Sequence, residues 1–271
     1  IVGSEGRNEQ TLKTDQDNAI IYADVGKSES SAAKAYFLKF GERVCTWLDQ
    51  AGYDFCKGNV MAMNPKWCQP LSLWKRYFYS WIRVSTPKDL LQSNIFFDLR
   101  GGCGNIDLVD DLRLFLFESL EGWTRFFRDL TVNALGFKPP LGFFRNFVVE
   151  PRGEHRHKLD IKKSMTPIVD IARIYALNNN ISETNTQERL YRLYLEKVFD
   201  EETYNDMDQA YSYLGHQRLS CQIKNILEGE KPDNYLDPTK LSRMDQTMLK
   251  EIFKRIERMQ TKLSLDFTGA A

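Results

Sequence analysis

Neither sign of charge is in excess: Lys and Arg together number 37, and so do Asp and Glu. A nucleic-acid-binding domain normally carries a basic surplus, so no nucleic-acid partner is expected. Long hydrophobic runs are also missing. No apolar stretch approaches the roughly 20 residues that cross a bilayer and no signal peptide is visible, so no membrane partner is expected. Cysteine is scarce and uneven. Cys45, Cys56, Cys68, Cys103 and Cys221 make an odd count with no C-x-x-C spacing, which argues against a disulfide framework or a zinc site and for reduced thiols in a cytoplasm. Histidine is scarcer still, at His155, His157 and His216. Nothing near His155-x-His157 completes a ligand set, and the pair reads as part of a solvated basic loop with Arg152, Arg156 and Lys158. No internal repeat or low-complexity tract is evident. An initial Met is also lacking. The chain opens on Ile1-Val2 and reads as a fragment of a longer protein, with the strand leading into Gly3 cut short.

What is present is a chain of 271 residues, 42% hydrophobic and 13% aromatic, enough for two domains of ordinary size with real cores. Its most informative stretch is the first two dozen residues. Gly3-Ser4-Glu5-Gly6 makes a small-residue turn before a short polar helix. Asp15-Gln16-Asp17-Asn18 then leads into the apolar Ala19-Ile20-Ile21-Tyr22. Alternate side chains of a strand share a face, so Asp15 and Asp17 are expected to point the same way. Two such acids repel unless a cation sits between them, and an oxygen-preferring divalent metal fits. The unpaired N–H groups of the Gly3-Ser4 turn favour an anion such as phosphate, and Arg7 adds positive charge. A metal pair beside a phosphate cradle can move a nucleotidyl group. Further on, Ile95-Phe96-Phe97-Asp98-Leu99-Arg100 reads as a strand broken by Gly101-Gly102. An acid at the end of an aromatic strand is costly unless paired or metal-bound. Asp98 is therefore taken as a third metal carboxylate, with Asp54 and Asp107 in reserve; the plainer alternative is a pair with Arg100.

Gly3-Ser4, Gly6-Arg7, Glu9 and Asp15-x-Asp17 resemble the signature of the DNA polymerase beta-type nucleotidyltransferase superfamily. The fuller string resembles one branch, the nucleotidyltransferases of bacterial signal-transduction proteins that often carry cyclic-nucleotide-binding and CBS domains upstream and are described as similar to protein-PII uridylyltransferase. Cys56, Gly58, Val60, Met61, Ala62 and Asn64 match a further run of that branch, as do Asp98 and Arg100. Asp160, Lys162 and Pro167 to Arg173 match another, and Arg189, Arg218, Gln222, Asp233 and Asn234 match single positions. The resemblance implies transfer of a nucleoside monophosphate from a triphosphate, with two Mg2+ ions on Asp15, Asp17 and Asp98. Phosphate would be bound by Gly3, Ser4 and Arg7. Lys162, in a basic loop-rich stretch before a helix start, is expected either to reach the phosphates or to be solvated. The acceptor is a protein or a small molecule, and upstream regulatory domains are implied partners. PII-modifying relatives carry Gly-Gly where this chain has Gly3-Ser4, so their protein substrate does not carry over. ATP and UTP cannot be told apart from sequence. The alternative is a catalytically silent nucleotide-binding module.

The element pattern implies an α+β chain: a small mixed-sheet nucleotidyltransferase domain over residues 1–110 and an all-α helical bundle over 111–271. Helices are expected from Ser28 or Ser30 to Gln50, from Pro70, and from Asp107. Others are expected from Trp123 to Ala134, from Thr166-Pro167, and from Thr186 to Val198. The last two should run over about 202–227 and 242–263. Val60 to Met63 reads as a short strand, and the aromatics of the Pro70 helix read as core.

Overall fold

The computed structural model describes residues 1–270. The chain forms two compact units: Ile1–Gln10 with Thr14–Phe126, and Thr11–Lys13 with everything from Phe127 on. The architecture is α+β, as expected. The boundary falls later than residue 110 because the helix that follows belongs to the first core.

The first unit begins with α1 (Gly3–Gly6), β1 (Asp15–Gln16), β2 (Ile20–Tyr22), α2 (Ser30–Gln50), β3 (Asp54–Phe55) and β4 (Cys68–Pro70). It continues with α3 (Leu71–Val84), α4 (Pro87–Phe96), α5 (Asp107–Leu120) and the start of α6 (Thr124–Ala134). Its strands form two parallel ladders rather than one mixed sheet: β1 on β3, with Asp15 opposite Asp54, and β2 on β4, with Ile20 opposite Cys68. Residues 60–63 form a turn instead of a strand. Gly41 of α2 packs on that turn so closely that a Cβ would lie 2.5 Å from the Ala62 carbonyl oxygen.

The core of this unit is aromatic. Trp67 and Phe96 lie 4.4 Å apart by ring centroids, and Trp74, Phe78, Trp81 and Phe97 are packed around them. The aromatic stripe of the Pro70 helix is thus core. Segment 95–100 corrects the expected strand. Thr86 and Asp89 form a capping box, with Asp89 N–H donating to Thr86 Oγ1 at 3.2 Å and Thr86 N–H to Asp89 Oδ2 at 3.1 Å, and Pro87 occupies the first helical position. Such a cap stabilises a helix by about 1 kcal/mol. Leu90, Ser93 and Phe96 then recur on one buried face at helical spacing. The β-forming residues are spent on the last turn of α4 and the bend after it. Further along, α5 buries Leu112, Leu116 and Leu120, and the Trp123 indole donates to the Ile82 carbonyl at 3.1 Å, which keeps this stretch with the first unit.

The second unit contains the rest of α6, β5 (Leu159–Asp160), α7 (Ile161–Asn178), α8 (Thr186–Leu195), α9 (Glu201–Leu227), β6 (Tyr235–Leu236) and α10 (Arg243–Thr268). It is mostly helical, with a short antiparallel β5–β6 ladder and a turn-rich stretch over residues 135–158 that carries a single bridge between Leu141 and Phe147. Its central helix, α7, is buried on nearly every side from Ile161 to Leu177, the mark of a core helix. It starts earlier than Thr166-Pro167 suggests, because the Asp160 side chain caps it by accepting from Lys163 N–H at 3.0 Å. Pro167 therefore sits inside the helix, where it forgoes one backbone hydrogen bond. Asp170 and Arg173 form a buried pair at 2.5 Å. Gln222, fully buried on α9, donates to Thr11 Oγ1 and Asn234 Oδ1 and accepts from Leu12 N–H, while Arg218 Nε donates to the same Asn234 oxygen. This network fixes residues 11–13 to the second unit. His155 stacks on Tyr235 with centroids 3.6 Å apart and holds its Nδ1 3.7 Å from Asp233, a structural placement. No helix of the described residues is long and apolar enough to cross a membrane.

Candidate active site

The sequence Asp15-Gln16-Asp17-Asn18 sorts its side chains by strand alternation. Gln16 and Asn18 turn inward and are buried at 1% and 8% exposure. Gln16 Nε2 donates to the Cys45 and Tyr53 carbonyls at 3.0 and 3.1 Å. Asn18 Oδ1 accepts from Ala62 N–H at 2.8 Å, and its own N–H donates to the Val60 carbonyl. These inward amides satisfy buried backbone groups that would otherwise be costly. The two carboxylates are left on the other face. There Asp15, Asp17 and Cys56, all half-buried, each offer a ligand atom within 4.8 Å of the others. This is the one such group of metal-ligating side chains among the described residues.

Cys56 reaches this face through register. Asp54 lies opposite Asp15 and Phe55 opposite Gln16; one further parallel step brings Cys56 level with Asp17. Burial, and then donation of its proton to the Asp17 carboxylate, push the Cys56 thiol up to about 11. Asp54, opposite Asp15 at the edge of the ladder, is exposed and outside the group.

Gly3 lies against Asp17. Its φ is +61°, and a Cβ there would come 3.1 Å from Asp17 Oδ2, so glycine eases both the conformation and the approach. Val2 N–H donates to the Asp17 carbonyl at 3.0 Å, which aligns the turn with the acidic face. The Ser4 hydroxyl is half-buried and has no partner among the described residues. Its carbonyl accepts from Glu9 N–H at 2.8 Å.

Arg7 is turned away from solvent. Its Nε donates to Glu9 Oε2 and its Nη1 to Asp98 Oδ2, each at 2.7 Å. Burial alone would lower its pKa, but the flanking Asp98 and Glu9 carboxylates outweigh it and hold the guanidinium charged. Asp98 is completely buried and is not in the Asp15–Asp17–Cys56 group. The bend carrying it is clamped to the start of the chain: Ile1 and Arg100 exchange backbone hydrogen bonds at 3.0 and 2.9 Å, and a Cβ on Gly6 would lie only 1.9 Å from the Asp98 carbonyl oxygen. The structure thus brings Gly3, Asp15 and Asp17 together and couples Arg7 to Asp98. Asp98 is paired with Arg7 rather than with the Arg100 of the plainer alternative. Lys162 lies on an exposed turn of α7 in the second unit, and its ammonium has no partner among the described residues. A separate apolar cavity of about 800 Å³ in the first unit is walled by Ile20, Phe37, Val44, Phe96 and Leu112; the acidic face does not line it.

Residues 124–267 match the family model described as "Putative nucleotidyltransferase substrate binding domain", and residues 1–88 match that described as "Putative nucleotidyltransferase DUF294". The chain belongs to this nucleotidyltransferase family. A search of curated proteins returned no match. In this nucleotidyltransferase the family match over 1–88 contains the whole Asp15–Asp17–Cys56 group and the Gly3 turn, whereas Asp98 lies beyond it. The substrate-binding match covers residues 127–267 of the second unit; its first three residues belong to the first unit, and Thr11–Lys13 lie outside it. Sequence reasoning assigned no role to Gln16 or Asn18 and no metal-ligating role to Cys56. The alternation that singled out Asp15 and Asp17 also predicts the opposite facing of Gln16 and Asn18. Cys56 needed the strand pairing.

Proposed function

We propose that this nucleotidyltransferase moves a nucleoside monophosphate from a nucleoside triphosphate to a protein or small-molecule acceptor, with magnesium held by Asp15 and Asp17. The observation that carries the reading is the convergence of these two carboxylates on one face, against the Gly3 turn. Their oxygen donors fit a hard divalent cation. The chain's own group suffices for one ion, and a second would draw most of its ligands from nucleotide phosphates. Bound there, magnesium would neutralise the phosphate oxygens and stabilise the departing pyrophosphate. The protein's part is positioning. Asp15 is fixed by β1 and Asp17, just beyond it, by the Val2 N–H on its carbonyl; the Ser4 hydroxyl and the Gly3 turn offer donors to phosphate, and Arg7 and Asp98 lock α1 against the bend that carries Asp98. In the transfer itself the bond from the α-phosphorus to pyrophosphate breaks, and a bond to the acceptor oxygen forms as that oxygen loses its proton. A cytoplasmic signalling role under upstream regulatory domains belongs to the same proposal.

A second reading, a silent nucleotide-binding module, draws support from the engagement of Asp98 by Arg7, which leaves two carboxylates rather than three at the metal. One experiment separates the readings: incubation of the full chain with radiolabelled ATP or UTP, magnesium and cell lysate as acceptor source. Label transfer that is lost in Asp17→Ala is the expected result. Magnesium-dependent nucleotide binding without any transfer would favour the silent module, and equal magnesium affinity in wild type and Asp17→Ala by calorimetry would refute both.

A further inference from the structure

Cys56 is the one member of the metal-ligating group that a magnesium site does not call for. Hard cations of the magnesium class take oxygen ligands, whereas a thiolate selects softer ions, zinc above all. The thiol is not there by chance of side-chain flexibility. It follows directly from the β1–β3 register, its carbonyl closes a turn by accepting from Asn59 N–H at 2.9 Å, and it packs on the buried cluster of Cys45, Met61 and Ala62. We propose that Asp15, Asp17 and Cys56 form a three-ligand site for a thiophilic divalent cation of the zinc class, and that such an ion displaces magnesium and shuts off nucleotide binding. The effect on nucleotide binding rests on the transfer reading of the same site; the three-ligand site does not.

The geometry suits zinc. Bonds of about 2.0–2.3 Å place tetrahedral ligand atoms roughly 3.5 Å apart, so a set already within 4.8 Å closes by small side-chain adjustments. Two carboxylates and one thiolate neutralise the ion with one negative charge to spare and leave a fourth position for water. As the zinc–sulfur bond forms, the thiol proton passes to solvent, and the Asp17 oxygen that had accepted it turns to the metal. No redox partner is needed. A zinc ion so held lacks the open octahedral positions through which magnesium engages a triphosphate, and the thiolate ligand, which suits zinc and not magnesium, lets it compete at far lower concentration.

The test uses the full chain with zinc, cadmium and magnesium as probes. Zinc affinity is measured by competition with a chromophoric chelator, and cadmium binding by the ultraviolet sulfur-to-cadmium charge-transfer band. Cys56→Ser should lose the band and weaken zinc by more than the roughly 10–100-fold that loss of an outer-shell partner costs, a loss far larger than any change in magnesium affinity. Cys56→Ala serves as the second variant, and circular dichroism melts of both verify folding. Cys103→Ser, altering the exposed thiol, should retain the band. A band or a zinc affinity that survives in both folded Cys56 variants overturns the site. One equivalent of zinc should block magnesium-dependent nucleotide binding in wild type and not in Cys56→Ser; equal blocking in the two overturns the competition. The transfer reading fails separately, if Asp17→Asn leaves magnesium-dependent nucleotide binding intact while Cys56→Ser still weakens zinc.

Discussion

Arg7→Ala tests which of two jobs this arginine does. A guanidinium that simply met the triphosphate would, when removed, weaken nucleotide binding and leave the fold intact. The structure has Arg7 between Glu9 and Asp98, with its side chain 13% exposed and that of Asp98 fully buried. Removing the cation from a buried pair takes away a main compensation of the carboxylate in a medium that solvates it poorly, at a cost of up to about 3–5 kcal/mol. That is a large part of the stability of an ordinary domain. All five tryptophans, Trp47, Trp67, Trp74, Trp81 and Trp123, lie in the first unit, so tryptophan fluorescence during urea unfolding reports that unit alone. The expected result is a transition shifted to much lower urea in Arg7→Ala, with circular dichroism showing the helices of the second unit melting separately. Asp98→Asn in the Arg7→Ala background should recover part of the loss, because the buried group then carries no charge. Arg7→Lys should fall between, since one ammonium cannot reproduce the fork that serves both acids. A change below about 1 kcal/mol, the worth of an exposed pair, together with weakened nucleotide binding, would refute the reasoning and return Arg7 to the phosphates.

Gly6→Ala should destabilise the first unit without touching any side-chain interaction, because the new Cβ meets the Asp98 carbonyl at 1.9 Å; fluorescence-monitored unfolding unchanged from wild type would show that the close approach is dispensable. Burial raises the Cys68 thiol from 9.0 to about 11. Its contribution to stability is therefore complete below pH 9.0 and is lost as pH rises through about 11. The thermal midpoint of wild type should fall more steeply over that window than that of Cys68→Ala, and parallel curves would refute the assignment.

Much of this protein was written locally. The helix over Ser30–Gln50, the stop at Ala51-Gly52, the long α9 and the acid pair all follow from spacings within a few residues, because periodicity and capping are short-range properties. The facing of Asp15 and Asp17 belongs to the same class, since alternation along a strand needs no partner. Three features were decided at longer range. Segment 95–100 has the composition of a strand, but the Thr86–Asp89 capping box and the aromatic pocket formed by Trp67, Trp74 and Trp81 hold its first residues in a helix. Asp160, not the conspicuous Thr166-Pro167, sets the start of α7, because burial of that helix against its neighbours outweighs one hydrogen bond lost at Pro167. Finally, pairing partners are non-local. The sequence offers Arg7, Asp98 and Arg100 as interchangeable charges, and it offers Cys56 as one thiol among five. Only the clamp of Ile1 on Arg100 and the parallel register of β1 on β3 determine that Asp98 meets Arg7 and that Cys56 meets Asp17.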